Sequence, residues 1–485
     1  MNSKNKKHFL TELHLFKSGE TCFVFLPRNL QLFEVDEDTY GKLERLESEA
    51  KNNFGVIDCK DEDLISAGFI YEGEEPQEDP IKEDYYKAIE KQEDDGKIHI
   101  TNTVLQIAND CNLNCIYCYG DGGSYGRERE LMSYETAKKA IDFTVDNSEG
   151  VNNILIIFFG GEPLINFDVV KKTFDYCKSL ESDIGKKFSF SMTTNGTILT
   201  DEIYNFIKDN KINVMISIDG GHEIQDKHRC YRDGRGSFDD VKKNIERFKA
   251  ARGGHLTARA TVCRTDFRFK NIKDDLLAMG FTDVITTMVD TSEESPLFIG
   301  GVYSDQVLEQ YRILAEDYVM NVKCGKKANN RFFEDYLNAL YFKKMKIRSC
   351  NAGGSGIAVG TNGEIYPCHR FMGMEDNVIG NLKDGIDFAK RNGYRKANVL
   401  TKEECKDCWA RYLCSGACSH TSAVHSNSVF HAPICYCDIY KGVIELVLYI
   451  YYDLKKWDEN VFRKMMSDEE KKINELAISK EYFRD

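Results

Sequence analysis

Hydrophobic positions along this 485-residue chain follow two periodicities that alternate with each other. Between residues 100 and 320 the apolar runs TVLQIA, NILIIFF, FSFSMTT, INVMISI, LTARATVC and DVITTMV are separated by amphipathic stretches of helical period. Short runs apolar on both faces, alternating with helices, predict a parallel sheet or barrel wrapped by helices. Six such units predict an α/β protein built on a partial (β/α)6 barrel. Ahead of it, ELHLF, TCFVFL and LQLFEVD followed by helical DEDTYGKLERLESEA predict a small three-stranded sheet with helices over residues 10–70. The stretch EGEEPQEDPIKED is acidic and holds two of the seven prolines, which marks a linker. Beyond residue 345 the periodicity gives way to Gly- and Cys-rich loops, and a helix resumes near Ile439. The expected divisions are 1–72, an acidic linker 73–98, the barrel 99–320, a bridge 321–349, a cysteine-rich domain 350–440 and a helical tail 441–485.

Charge and cysteine content narrow the partners. A formal charge of −14 argues against nucleic acid or an anionic membrane, which need a basic footprint. No apolar run approaches the ~20 residues of a membrane span, and MNSKNKKHFLTELHLF has no apolar signal core, so the chain reads as cytoplasmic. In that compartment seventeen cysteines at ligand spacing point to metal rather than disulfides.

Chemistry in a parallel barrel collects at the C-terminal ends of the strands. The first predicted strand is followed by CNLNCIYCYG, the second by GGEP, the third by TNGT and the fourth by SIDG, so four polar turns share one rim. Cys111, Cys115 and Cys118 can hold three irons of a four-iron four-sulfur cluster and leave the fourth iron free. Zinc would want a fourth protein ligand nearby. A second field holds Cys350, then Gly363 and Cys368, then Cys405, Cys408, Cys414 and Cys418, then Cys435 and Cys437. Cys22, Cys59, Cys177, Cys230 and Cys263 read as small apolar core residues, and Cys324 is unplaced.

The CxxxCxxC loop resembles that of the radical S-adenosylmethionine superfamily, and the second field resembles its SPASM extension. The resemblance implies a TIM-like partial barrel and three [4Fe-4S] clusters, one binding S-adenosylmethionine and two auxiliary. By it, Cys111, Cys115 and Cys118 hold the first cluster, whose open iron takes the amino and carboxylate groups of the cofactor. Gly160, Gly161, Glu162 and Pro163 look like the turn that meets the methionyl ammonium. Thr193 and Asn195, with Ser217 and Asp219, resemble the ribose and carboxylate contacts. Tyr117, between the last two cysteines, is placed like the residue packing near adenine, Tyr119 is expected among the cofactor-binding residues, and Arg229 is a candidate for the cofactor carboxylate. One auxiliary cluster would use Cys405, Cys408, Cys414 and Cys437, with Cys435 the alternative; the other would use Cys350, Cys368 and Cys418.

SPASM enzymes mostly act on peptides. In the sulfatase-maturing branch an aspartate follows the cysteine of the Gly-x-x-x-x-Cys motif, where this chain has His369. PCHRFMG, GGEPLINFDVVK and GRERELM resemble thioether-forming maturases of ribosomal peptides, of ranthipeptide and SCIFF type. The resemblance implies a precursor peptide whose leader is read by a winged-helix-like domain in residues 1–72, and a flavodoxin or ferredoxin as electron donor. Carbon–carbon crosslinking, epimerisation and formylglycine formation would share these motifs.

Overall fold

The computed structural model describes residues 7–478 apart from 54, 74–84, 88–89, 91–97, 327 and 329. The expected acidic linker therefore lies almost wholly outside the described residues. The chain opens with two small antiparallel sheets where the sequence suggested one. The meander β2 (His14–Ser18), β3 (Thr21–Leu26) and β4 (Gln31–Val35) makes the first. The second has the order β5-β1-β6, from β1 (Lys7–Leu10), β5 (Val56–Ile57) and β6 (Ile70–Gly73). Helix Glu37–Asn52 lies between them in sequence, started by Asp36, whose carboxylate accepts from Thr39 N at 2.7 Å.

Six parallel strands form the centre: β7 (Asn102–Ala108), β8 (Asn153–Gly160), β9 (Lys187–Thr194), β10 (Asn213–Ser217), β11 (Thr257–Val262) and β12 (Asp283–Met288). They neighbour one another in chain order, as consecutive βαβ units with helical crossovers should. Their burial departs from the expectation of two apolar faces. On β9, Phe188, Phe190, Met192 and Thr194 are buried while Ser189, Ser191 and Thr193 are only half-buried. The buried parity packs under the surrounding helices, and the other parity lines a lumen that stays open. Ser217, Arg259, Thr261 and Thr286 continue this polar lining on β10, β11 and β12.

The barrel does not close on itself. β13 (Gly356–Val359) adds to β7 in parallel, pairing Gly356 with Asn102 and Val359 with Leu105. The hairpins β14 (Glu364–Tyr366), β15 (Gly380–Asn381) and β16 (Gly385–Ile386) then continue the sheet to ten strands. The cysteine-rich segment is thus hydrogen-bonded to the barrel wall. Arg127 and Glu364 reinforce the join with a 2.6 Å ion pair, and Arg129 pairs with Asp110. Of the charged residues of GRERELM, Arg127 and Glu130 tie these two parts, Glu130 by accepting the Thr361 hydroxyl, while Arg129 braces the barrel itself. Helix Ser304–Lys323 lies along helix Cys437–Trp457 and covers the outside.

The N-terminal sheets rest on the cysteine-rich segment. His14 stacks on Trp409 with ring centres 3.6 Å apart, and Phe25 meets the same indole edge-on. Glu12 receives Arg411, whose side chain is 2 % exposed, and Arg28 at 3.0 Å. Phe16, Phe23, Phe25 and Leu30 belong to the main core of the chain, while Leu13, Val24, Leu43 and Ile70 form a separate one. Removing Glu12 would take from the buried Arg411 guanidinium the carboxylate that receives both of its terminal nitrogens. We expect Glu12→Ala to lower unfolding free energy by about 2–3 kcal/mol, below the value for a fully buried pair because the carboxylate is partly solvated. A urea midpoint unchanged from the parent would contradict this.

Candidate functional site

The loop after β7 brings Cys111, Cys115 and Cys118 to the barrel rim and is pinned along its length. Asn114 N donates to Cys230 O at 2.8 Å and Ile116 N to His228 O at 2.9 Å. Cys118 N closes a turn on Cys115 O at 3.1 Å. Cys230, expected to be a core residue, packs against this loop instead, its thiol 3.7 Å from Asn114 O and within electrostatic reach of Cys115. Burial pushes the Cys111 thiol up to about 12 and that of Cys115 up to about 11. Such thiols stay protonated at neutral pH unless a metal takes the thiolates.

The GGEP turn is zipped to the entrance of that loop. Gly161 N donates to Ala108 O at 2.8 Å and Glu162 N to Asp110 O at 2.9 Å. A Cβ on Gly160, whose φ is +137°, would fall 2.4 Å from Ala108 O, and one on Gly161 would fall 2.2 Å from Asp110 O. Only glycine allows this approach. Glu162 is fully buried; its carboxylate accepts Thr194 Oγ1 at 2.8 Å, Asn195 N at 2.7 Å and Leu164 N at 3.1 Å. Burial raises it to about 7 against these donors. Pro163 starts the short turn that Glu162 caps. Asn195 reaches Asn112 at 2.8 Å and lies 3.7 Å from Cys111 Sγ, so it braces the cysteine loop. Thr193 and Ser217 face the lumen, Ser217 beside Arg259 in register.

Asp219 is the charge hub of the rim. It is fully buried and pairs with Arg229 Nε at 3.1 Å and His228 Nδ1 at 3.5 Å, accepts Thr261 N at 2.8 Å, and takes the Tyr117 hydroxyl. Burial works to raise its carboxyl, but Arg229 and these hydrogen bonds hold it below the usual value. Arg229 is itself buried, lies 5.3 Å over the Tyr117 ring and approaches Cys115 Sγ at 4.0 Å. Its guanidinium is thus committed to Asp219 and the first cysteine loop.

The second field resolves into two groups. Cys405 lies within electrostatic reach of Cys414, Cys408 and Cys437, and burial pushes its thiol up to about 12. Cys368 lies likewise beside Cys350 and Cys418, with the same rise. Ser415, Gly416 and Ala417 all have positive φ, and the amides of Gly416 and Ala417 donate to Cys414. Successive N–H groups turned on a sulfur are what an iron–sulfur cluster requires around its anionic ligands. Lys402, 2 % exposed, lies between the two groups and donates to Gly416 O at 2.7 Å and Ser422 Oγ at 2.8 Å. Burial lowers its ammonium, opposed by Cys405, Cys414, Cys418 and Cys350. Thiol number, amide donors and a buried cation all fit clusters there. Cys435 lies beside His425, with Cys437 of the first group also within electrostatic reach, and exposed Cys324 ends helix Ser304–Lys323.

Tyr119 connects the two fields, since its hydroxyl lies within reach of both Cys118 and Cys368. Its ring carries Arg370 at 5.1 Å and meets His420 and Tyr125 edge-on. His369 packs its ring 4.6 Å from Phe159 in the lumen, where burial, with Arg259 and Arg370, pushes it down to about 3 and keeps it neutral. Arg259 and Lys402 had no motif to flag them, because each is recruited across the fold from a segment without one, whereas Arg370 inside PCHRFMG and Asp110 just before the cysteine loop sat at motifs without being given a role. Among the described residues no helix is long and apolar enough to cross a membrane.

The radical SAM superfamily model matches residues 105–266. An uncharacterised protein of Methanocaldococcus jannaschii is 30% identical over 65% of this chain and 96% of its own length. The radical SAM cyclopropyl synthase TigE of Paramaledivibacter caminithermalis is 22% identical over 89% of this chain and 92% of its own. Streptococcus suis SuiB, solved bound to precursor peptide SuiA, has the same fold with TM-score 0.52 and 14% identity, across 89% of this chain and 99% of that one. The chain belongs to the radical SAM superfamily, whose cofactors are S-adenosylmethionine and [4Fe-4S] clusters.

Proposed function

We propose that this protein is a peptide maturase that joins a cysteine thiol to a carbon of another residue in a ribosomally made precursor. The observation that carries this reading is Tyr119, whose hydroxyl is within electrostatic range of Cys118 and of Cys368 at once. A thiolate held at the Cys350, Cys368 and Cys418 group would then lie next to the radical site. That group has three cysteines within reach of one another, which leaves one iron position for a substrate sulfur. Cys111, Cys115 and Cys118 are assigned to the first cluster, and Cys405, Cys408, Cys414 and Cys437 to the outer one.

Bound S-adenosylmethionine and a reduced cluster supply a 5′-deoxyadenosyl radical that abstracts hydrogen. The Gly160–Pro163 turn would hold the methionyl ammonium, with the Glu162 carboxylate behind it as counter-charge. Thr193, Asn195 and Ser217 offer polar contacts to ribose and carboxylate, with Tyr117 near adenine. The lumen wall orients the peptide and excludes water and oxygen. Carbon–sulfur bond formation removes two hydrogens, one as the abstracted atom and one as the thiol proton, plus one electron, which an auxiliary cluster held by the second cysteine field would accept. A flavodoxin or ferredoxin supplies the reducing electron. The likeness to SuiB with its precursor supports a ribosomal peptide as substrate. The likeness to TigE favours a second reading, carbon–carbon ring closure on such a peptide.

The leader is assigned to the N-terminal sheets. A cleft of about 260 Å³ runs between them and the Cys405–Arg411 loop, lined in part by Phe9, Tyr71 and Lys406. An extended leader segment would lie in it.

Three outcomes test this account. Glu162→Gln should weaken S-adenosylmethionine binding at least about tenfold with iron content unchanged, since the ammonium loses its counter-charge; undiminished binding by calorimetry would remove Glu162 from that role. Tyr71→Ala with Lys406→Ala should raise KM for a leader-bearing precursor several-fold and leave KM for a leaderless core peptide as it was, and equal effects on both would place leader recognition elsewhere. Treated precursor should lose about two daltons per crosslink, with the joined cysteine refractory to alkylation. A two-dalton loss with every cysteine still alkylated would select the carbon–carbon reading.

A further inference from the structure

Just beyond β12 lies a group of donors that neither the radical chemistry nor the cysteine clusters use. Asp290, whose side chain is 8 % exposed, ion-pairs with Arg370 at 2.8 Å and accepts Thr421 Oγ1 at 2.9 Å. His420 Nδ1 and His425 Nε2 each lie 3.1 Å from it. A carboxylate held by Arg370 can only accept, so His425 presents Nε2–H to Asp290 and keeps its Nδ1 lone pair free. That lone pair faces Cys435 Sγ at 3.7 Å. Glu293, three residues after Asp290, brings a carboxylate oxygen to the same place, and the three ligand atoms all lie within 4.8 Å of one another.

The spacing is that of a metal site. Sulfur and imidazole nitrogen bound tetrahedrally at 2.3 Å and 2.0–2.1 Å stand about 3.6 Å apart, which Cys435 and His425 already satisfy. Glu293 is exposed, so its side chain can close the remaining gap by a rotamer change. The His425 side chain is 3 % exposed and locked by Asp290, the carboxylate–histidine arrangement that fixes ring orientation and tautomer in metal-ligating imidazoles.

We propose that Cys435, His425 and Glu293 bind one zinc ion, with Asp290 orienting His425 and the fourth position left to an exchangeable ligand such as water. Thiolate and imidazole together select against magnesium and calcium, and three protein donors with one open position is the arrangement of zinc sites that bind a further molecule. The inference stands whichever bond the enzyme makes in its substrate.

The test uses the full chain, reconstituted anaerobically with iron and sulfide, supplied with zinc sulfate and desalted before elemental analysis. The expected result is about one zinc beside about twelve irons, and a zinc absorption edge fitted by one sulfur and lighter donors. Cys435→Ser, His425→Ala and Glu293→Ala should each lose most of the zinc and keep their iron. Asp290→Asn should weaken zinc binding about 10–100-fold, as loss of an orienting partner does. Because Glu293 is exposed, its variant cannot lose metal through misfolding. Zinc retained in all three ligand variants, absent from the parent, or surrounded by four sulfurs would overturn the proposal. A fall of about four irons in Cys435→Ser would instead make that residue a cluster ligand.

Discussion

Buried positive charge placed against sulfur is the constraint around which this molecule is organised. Arg229 approaches Cys115, Arg370 lies by Cys368 and Cys418, and Lys402 is sealed between the two outer groups. Charged groups in an interior are costly unless compensated. Asp219 and Asp290 balance the two arginines in part. Lys402 has a carbonyl and a hydroxyl as hydrogen-bond partners, so its compensation comes from anionic sulfur. Arg370 and Lys402 therefore tie the stability of the Cys-rich third of the chain to its metal content, and Arg229 does the same for the first cysteine loop, as expected where ligand thiols are too buried to ionise alone.

That arrangement also explains the lumen. A barrel filled with its own side chains has no room for a cofactor and a peptide, whereas here every second position of β9 and β11, and Ser217 on β10, is small, polar or charged and not fully buried. The hydrophobic work moves to the outer parity, under the helices. The site is thus a wall of a cavity whose opposite parity carries the core.

Six strands and their order were legible because each is a short apolar run between helical stretches. The cysteine loop and GGEP were legible because their spacing is chemical, and the glycine contacts explain why no other residue serves. The polar lumen of the strands was missed: FSFSMTT and LTARATVC alternate with period two, but serine, threonine and alanine are too mild to declare a face. The division of the late cysteines also needed the fold, because Cys435 and Cys437 are one residue apart yet face different neighbours across the start of a helix. The second N-terminal sheet was missed because its strands come from residues 7, 56 and 70, each only a few residues long.

The pairing of β13 with β7 has a consequence for the birth of the protein. Residue 102 waits for residue 356 to emerge, so at about 5–20 residues per second the first barrel strand keeps one open edge for some ten to fifty seconds of synthesis. An apolar strand with unpaired amides is a template for other chains during that interval. A cell making this enzyme must shelter β7 until its C-terminal third arrives, and the yield of soluble protein is set by how fast that third is translated.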